Sequence, residues 1–162
     1  MQSDEEFINS VEALKPFVGS KSVVEDEIAL SVVRRIAGML DEDFNAYKVG
    51  SQLPPHWFGM FFPNVTKQSD IGPDGHPNPG VVLPPIPLPR RMGAGRRVNI
   101  MGTLKAGVPA TRTTEVIAIT PKIARTGRIA ILTLRDTIET CLLYTSDAAD
   151  EGLGVDLGGR RI

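Results

Sequence analysis

The chain is poor in the residues that build metal and redox centres. Among its 162 residues there is one cysteine, Cys141, and there are two histidines, His56 and His76. One cysteine excludes an internal disulfide. Two histidines that form no pair at helical spacing fall short of a zinc ligand set. Net charge is also lacking: the formal value is −1, so there is no basic footprint for a nucleic-acid partner. No apolar run approaches the roughly 20 residues of a membrane-spanning helix. The opening MQSDEEF is acidic and lacks the basic-then-apolar layout of a secretory signal, so a cytoplasmic protein is expected. Glycine-rich phosphate loops are missing too. GAGRR, residues 93–97, has neither the Walker lysine nor the dinucleotide fingerprint, and it precedes strand-forming residues where a phosphate loop would precede a helix. No metal and no cofactor are expected.

What is present fits an ordinary globular domain. Hydrophobic residues make up 41% and charged residues 23%, and the length suits one domain with its own core. The last stretch stands apart. From Cys141 the chain reads CLLYTSDAADEGLGVDLGGRRI, which closely resembles the in-frame translation of sequencing-library adapters. One folded domain is therefore expected over 1–140, followed by an artefactual or disordered tail over 141–162.

Hydrophobic spacing sets the expected elements. Phe7, Val11 and Leu14 fall at helical spacing within 5–18, and Pro16 and Gly19 end that stretch. SKSVVEDE, residues 20–27, reads as a short edge strand. IALSVVRRIAGML, residues 28–40, is the strongest helix, with Ile28, Ser31, Val32, Ile36 and Met39 along one stripe and Leu30, Val33 and Leu40 widening it. So much apolar surface predicts a helix buried on most sides, with Glu25, Asp26 and Glu27 at its N-terminus, where the helix dipole favours acids. LPPHWFGMFFP, residues 53–63, concentrates Trp57, Phe58, Phe61 and Phe62, which must pack on something. A long loop follows over 64–89; loops of such length carry function or are disordered. RRVNIMGT, TRTTEVIAIT and IAILTLRDTIE then alternate or are β-branched, with Pro121 and Gly127 as turn residues between the last two. An antiparallel meander of three or more strands is expected. One helix followed by a run of strands predicts an α+β fold, with the sheet curled around the helix 28–40.

Few residues are candidates for chemistry. Asp74 and His76, in GPDGHPNPG, could form an acid–base pair, but a turn cluster is the favoured reading, since Asp-Gly and Asn-Pro are turn dipeptides. Arg90, Arg91, Arg96 and Arg97 form a basic cluster. They suit the phosphates of a nucleotide-bearing substrate, or they are solvated flanks that keep an apolar strand from aggregating; the second reading is favoured for Arg96 and Arg97. LPPIPLP, residues 83–89, packs four prolines into seven residues. Flanked by arginines, it has the look of a polyproline ligand for an SH3-type groove. Its position between an aromatic cluster and strand-forming residues favours a rigid, ordered approach to the first long strand.

HWFGMFFP, GPDGHPNPGVVLPPIPLPRRMGAG, LKAG and RIAILTLRDTIE together resemble the N-terminal half of MaoC-like 3-hydroxyacyl-thioester dehydratases, in the subgroup with fungal and mitochondrial type-2 dehydratases and mesaconyl-CoA hydratase. The likeness covers most of residues 20–140. It implies the hot-dog fold, a long central helix wrapped by a curved antiparallel sheet, here expected to be incomplete. It implies two such halves per chain, with the catalytic acid and base in the second, so no catalytic residue is expected in this one. An acyl-CoA or acyl-carrier-protein thioester is the implied substrate, His76, Arg90, Arg91, Met92 and Gly93 the candidate contacts to it, and fatty acid metabolism the setting. The implied partners are the missing C-terminal half and further copies of the chain. Two departures stand out. The family has tryptophan after the RRM, where this chain has Gly93, and an acid in the LKVGD-like turn, which Lys105, Ala106, Gly107 and Val108 lack. The competing expectation is a stand-alone acyl-thioester-binding or proline-motif module without catalysis.

Overall fold

The computed structural model describes residues 3–73, 75–78, 80, 83–125, 127–140 and 155–158. The first helix, α1 (Asp4–Glu12), starts with a capping box: the Glu6 amide donates to Ser3 Oγ at 3.1 Å and the Ser3 amide to Glu6 Oε2 at 2.6 Å. This arrangement satisfies two otherwise orphaned N–H groups. Phe7 and Val11, four apart, are its buried side chains. After a 3-10 turn at Lys15–Phe17 comes strand β1 (Lys21–Glu27), then helix α2 (Leu30–Met39).

Strand β2 (Arg97–Ile100) precedes a long hairpin of β3 (Pro109–Ala124) and β4 (Gly127–Thr140), and β5 (Val155–Gly158) completes the sheet. The order is β1-β3-β4-β5-β2, and every neighbouring pair is antiparallel. β1 is an edge strand, as its polar flanks predict. The expected meander does not form: β2 joins the hairpin only through β5, which lies within 141–162. Pro121 is not a turn residue either. The strand runs through it to Ala124, and its partner is Ala130.

Side chains directly opposite each other in an antiparallel pair share a face. The inner face of the hairpin therefore runs Ala110, Arg112, Thr114, Val116 on β3 and Ile138, Asp136, Leu134 on β4. The register shifts between Val116 and Ala118, a bulge at Ile117. That extra residue returns Ile119 to the inner face, opposite Leu132, where strict alternation would point it outward.

The core has two parts. In the first, Ile28 and α2 residues Val33, Ile36 and Ala37 meet the aromatic stretch Trp57, Phe58, Phe61 and Phe62, with Ala110 and Ile138 at one end of the hairpin. In the second, Phe7 and Val11 of α1 meet Val116, Ile119, Ala130, Leu132 and Leu134 at the other end. Leu83, Ile86 and Leu88 pack on this second cluster. The helix expected over 28–40 is thus present but differently buried. Val33, Ile36 and Ala37 form a single buried stripe, while Met39 is 70% exposed. Glu25, Asp26 and Glu27 lie in β1 and not in the first turn of α2, because pairing with Thr111, Ala110 and Pro109 holds them extended.

Candidate substrate-facing site

Two groups of polar residues bear on function. The first is the set expected from the sequence. His76 is exposed, and its carbonyl accepts from the Gly72 amide at 2.8 Å. Ile71 and Pro77 form an isolated antiparallel bridge. The Arg91 guanidinium donates to the Pro77 carbonyl at 3.5 Å, across 14 residues of chain. So the two segments singled out in the sequence meet: Arg91 reaches the backbone of Pro77, the residue after His76. Arg90, Met92 and Gly93 are exposed, Met92 by 75%. A Cβ built on Gly93 meets nothing within 4 Å, so that position opens onto free space. Asp74, the expected partner of His76, lies outside the described residues.

The proline segment between them is ordered by its own contacts. Ile86 donates to the Pro84 carbonyl and Leu88 to the Ile86 carbonyl, each at 2.8 Å, the two-residue spacing of successive γ-turns. Leu83, Ile86 and Leu88 face the core. A polyproline ligand would need those side chains in solvent; here they are part of the packing that carries the arginines into place.

The second group was not read from the sequence. Between the two core clusters the inner face of the hairpin turns polar at Arg112, Thr114 and Asp136. Thr114 Oγ1 donates to Asp136 Oδ1 at 2.5 Å, and Arg112 donates to Asn64 Oδ1 at 2.8 Å. Arg112 is half-buried, and its Nε is shut away from solvent with no acceptor. Asp26, on the neighbouring strand, accepts the Phe62 amide at 2.7 Å. The available signal was the alternation itself: Arg112 and Thr114 occupy the same parity as Ala110 and Val116, a polar interruption on a face otherwise destined for the core.

The aromatic turn fixes this region from above. Pro54 and Pro55 open the 3-10 helix Pro55–Met60, a position where a missing N–H costs nothing. Trp57 is fully buried and stacks on Tyr47 with ring centroids 5.4 Å apart. Phe62 then takes φ 62°, a left-handed conformation that a bulky residue rarely adopts.

Comparison with known proteins places this architecture. A chain of the ChsH1-ChsH2 complex from Mycobacterium tuberculosis superposes with TM-score 0.59 at 10% identity, over 98% of this chain and 91% of that one. The fold is the hot-dog fold. The MaoC-like dehydratase from Rhodospirillum rubrum aligns with TM-score 0.46 at 16% identity, over 90% of this chain and 94% of that one. No family model matches the chain. In sequence, the hot-dog chain is 38% identical over 118 residues to the mesaconyl-C(4)-CoA hydratase of Chloroflexus aurantiacus, a match covering 73% of this chain. The chain spans 42% of that relative's length. Identity of this extent over so many residues is homology, not chance likeness. Among the described residues, no helix is long and apolar enough to cross a membrane.

Proposed function

We propose that this chain is the non-catalytic N-terminal hot-dog half of a 3-hydroxyacyl-thioester dehydratase or enoyl-thioester hydratase. The single observation that carries this reading is the 38% identity over 118 residues to a mesaconyl-C(4)-CoA hydratase, of which the match spans less than half. In that reaction water adds across, or leaves from, the carbon–carbon bond beside a thioester. The chemistry needs a base for one proton, an acid for the departing or arriving oxygen, and an N–H donor for the polarised carbonyl. The reading assigns those groups to a second half and gives this half the other wall of the groove. The soluble substrate is a thioester of coenzyme A or of a carrier protein. Mesaconic acid has two carboxyl groups, so a substrate of the relative's kind keeps one free carboxylate when the other is a thioester.

In this reading His76, Arg90, Arg91, Met92 and Gly93 line the entrance. Arg90 and Arg91 suit the phosphates of the carrier, and the Arg91–Pro77 contact ties one guanidinium to the segment that carries His76. The half with its catalytic mate, and further copies of the chain, are the expected partners, in the cytoplasm.

The test is complementation. The chain alone should leave an enoyl thioester unchanged. Mixed with the C-terminal remainder of the Chloroflexus hydratase, it should restore loss of the conjugated-thioester absorbance. Turnover by the chain alone, or natural coding sequence that continues past Thr140 without a second hot-dog half, would sink the reading.

A further inference from the structure

We propose that Arg112, held by Asn64, receives the free carboxylate of a dicarboxylic acyl thioester. The assignment rests on the thioester reading above and adds to it a specificity residue on the inner face of the sheet.

Three observations carry it. First, among the described residues Arg112 is a cation without a counter-ion. Among the described residues its hydrogen-bond partner is Asn64, and no carboxylate pairs with it. A guanidinium offers five N–H donors in a planar fork, and a half-buried charge left unpaired is unfavourable. Its Nε is both buried and without an acceptor.

Second, the two acids that share this face on the paired strands, each two residues along from the partner of Arg112, are hydrogen-bonded to other groups. Asp136 accepts from Thr114 and Asp26 accepts from the Phe62 amide. Each of these bonds holds a carboxylate at a different register step from Arg112, whose partners are Val24 and Ile138. The cation is therefore left for something else.

Third, the acceptor now on Arg112 is a neutral stand-in that can give way. Asn64 is exposed and precedes Val65, which is 98% exposed. Its amide oxygen, 2.8 Å from the guanidinium, occupies the place a carboxylate oxygen would take. Exchanging it for a carboxylate replaces a neutral acceptor by a charged one, which strengthens the bond and fits the fork geometry. A phosphate offers the same oxyanion chemistry, but with greater bulk and up to two charges. The position beside buried Ala110 and Ile138 favours the flat, singly charged group.

The experiment uses the full 162-residue chain and two coenzyme A thioesters of equal carbon count, succinyl-CoA and butyryl-CoA, in isothermal titration calorimetry. Succinyl-CoA should bind about tenfold more tightly, the ratio a charge-assisted bond supplies. Arg112→Gln should erase that preference. Asn64→Asp puts a carboxylate on the guanidinium permanently. It should erase the preference as well while raising the melting temperature, and because Asn64 is exposed this variant keeps the test open if Arg112→Gln fails to fold. Equal affinities for the two thioesters, or Asn64→Asp without effect on the melting temperature, overturn the carboxylate assignment and leave the thioester reading standing. If Arg112→Gln weakens both thioesters alike, and 3′-dephospho-CoA binds weakly to the unaltered chain, the cation reads a phosphate and the assignment is wrong. Binding of neither thioester overturns the thioester reading, and the assignment falls with it.

Discussion

The Phe62 amide donates to Asp26 Oδ2 across 36 residues of chain, at 2.7 Å. Phe62 itself sits at φ 62° with its ring 1% exposed. A bulky residue in that backbone region is strained, by roughly 1–3 kcal/mol, and persists only where its surroundings over-determine it. Here the ring is locked in the core and the amide is locked by a carboxylate. Asp26→Ala removes the second lock. It should destabilise the chain by about 1.5–3 kcal/mol, the range for a hydrogen bond to a charged group. Asp26→Asn, which keeps an acceptor oxygen, should recover part of the loss. Urea unfolding followed by tryptophan fluorescence measures both, since Trp57 reports on the same cluster.

The second core cluster separates packing from surface charge. Leu132 is fully buried between α1 and the hairpin, so Leu132→Ala should cost about 2–5 kcal/mol. Arg128 also ties α1 to the hairpin. It donates to Asp4 Oδ1 at 2.8 Å and lies 6.0 Å from the Phe7 ring centroid. Asp4 is 60% exposed at that pair, and Asp4→Ala should cost no more than about 1 kcal/mol. Equal effects from the two substitutions, by denaturant melts, would mean that α1 is held by charge and not by burial.

Two glycines should differ in their tolerance of a side chain. Gly93 has open space where a side chain would project, so Gly93→Trp should change stability by no more than about 0.5 kcal/mol. Gly107 has φ 76°, and a Cβ there would lie 3.0 Å from Val49 Cγ1. Gly107→Ala should cost about 1–3 kcal/mol. Thermal melts of the two variants decide the matter.

Tyr47 donates its hydroxyl to Glu42 Oε2 at 2.7 Å. That bond, with smaller contributions from burial and from the Glu42 charge, raises the Tyr47 pKa above the usual tyrosine value. A raised pKa favours the protonated form in the folded state. The stabilisation is therefore complete below the unfolded value of about 10 and is lost as pH rises through the higher folded value. Spectrophotometric titration of tyrosinate should show Tyr47 ionising late, and Glu42→Gln should bring it back toward the ordinary range.

Local chemistry was most legible where burial and periodicity agree. Phe7 and Val11 marked α1, Ala130, Leu132 and Leu134 marked β4, and the polar ends of β1 marked an edge. The aromatic run Trp57 to Phe62 could be read as core, though not which helix it would cover. Long-range pairing was less legible. Nothing in RRVNIMGT says that its neighbour is β5, because register between distant strands is set by tertiary fit. α2 was over-read for a related reason: Met39 and Leu40 add hydrophobicity but lie off the stripe of Val33, Ile36 and Ala37. Of the site, the arginines and His76 were visible as unusual residues in a long loop. Arg112 was hidden within a strand whose β-branched neighbours drew attention to structure.

The bulge at Ile117 constrains how this chain can change. Upstream of it, residues of even number face the core along β3; downstream, Ile119 does. Losing the bulged codon itself would leave Val116, Ala118 and Ile119 opposite Leu134, Thr133 and Leu132 in plain alternation, whereas gaining one more codon there would exchange interior and exterior along the distal hairpin, although every residue would still favour a strand. Homologous genes that differ in length should carry their gaps in the 64–89 connection and tolerate loss of the bulged residue here, but no insertion.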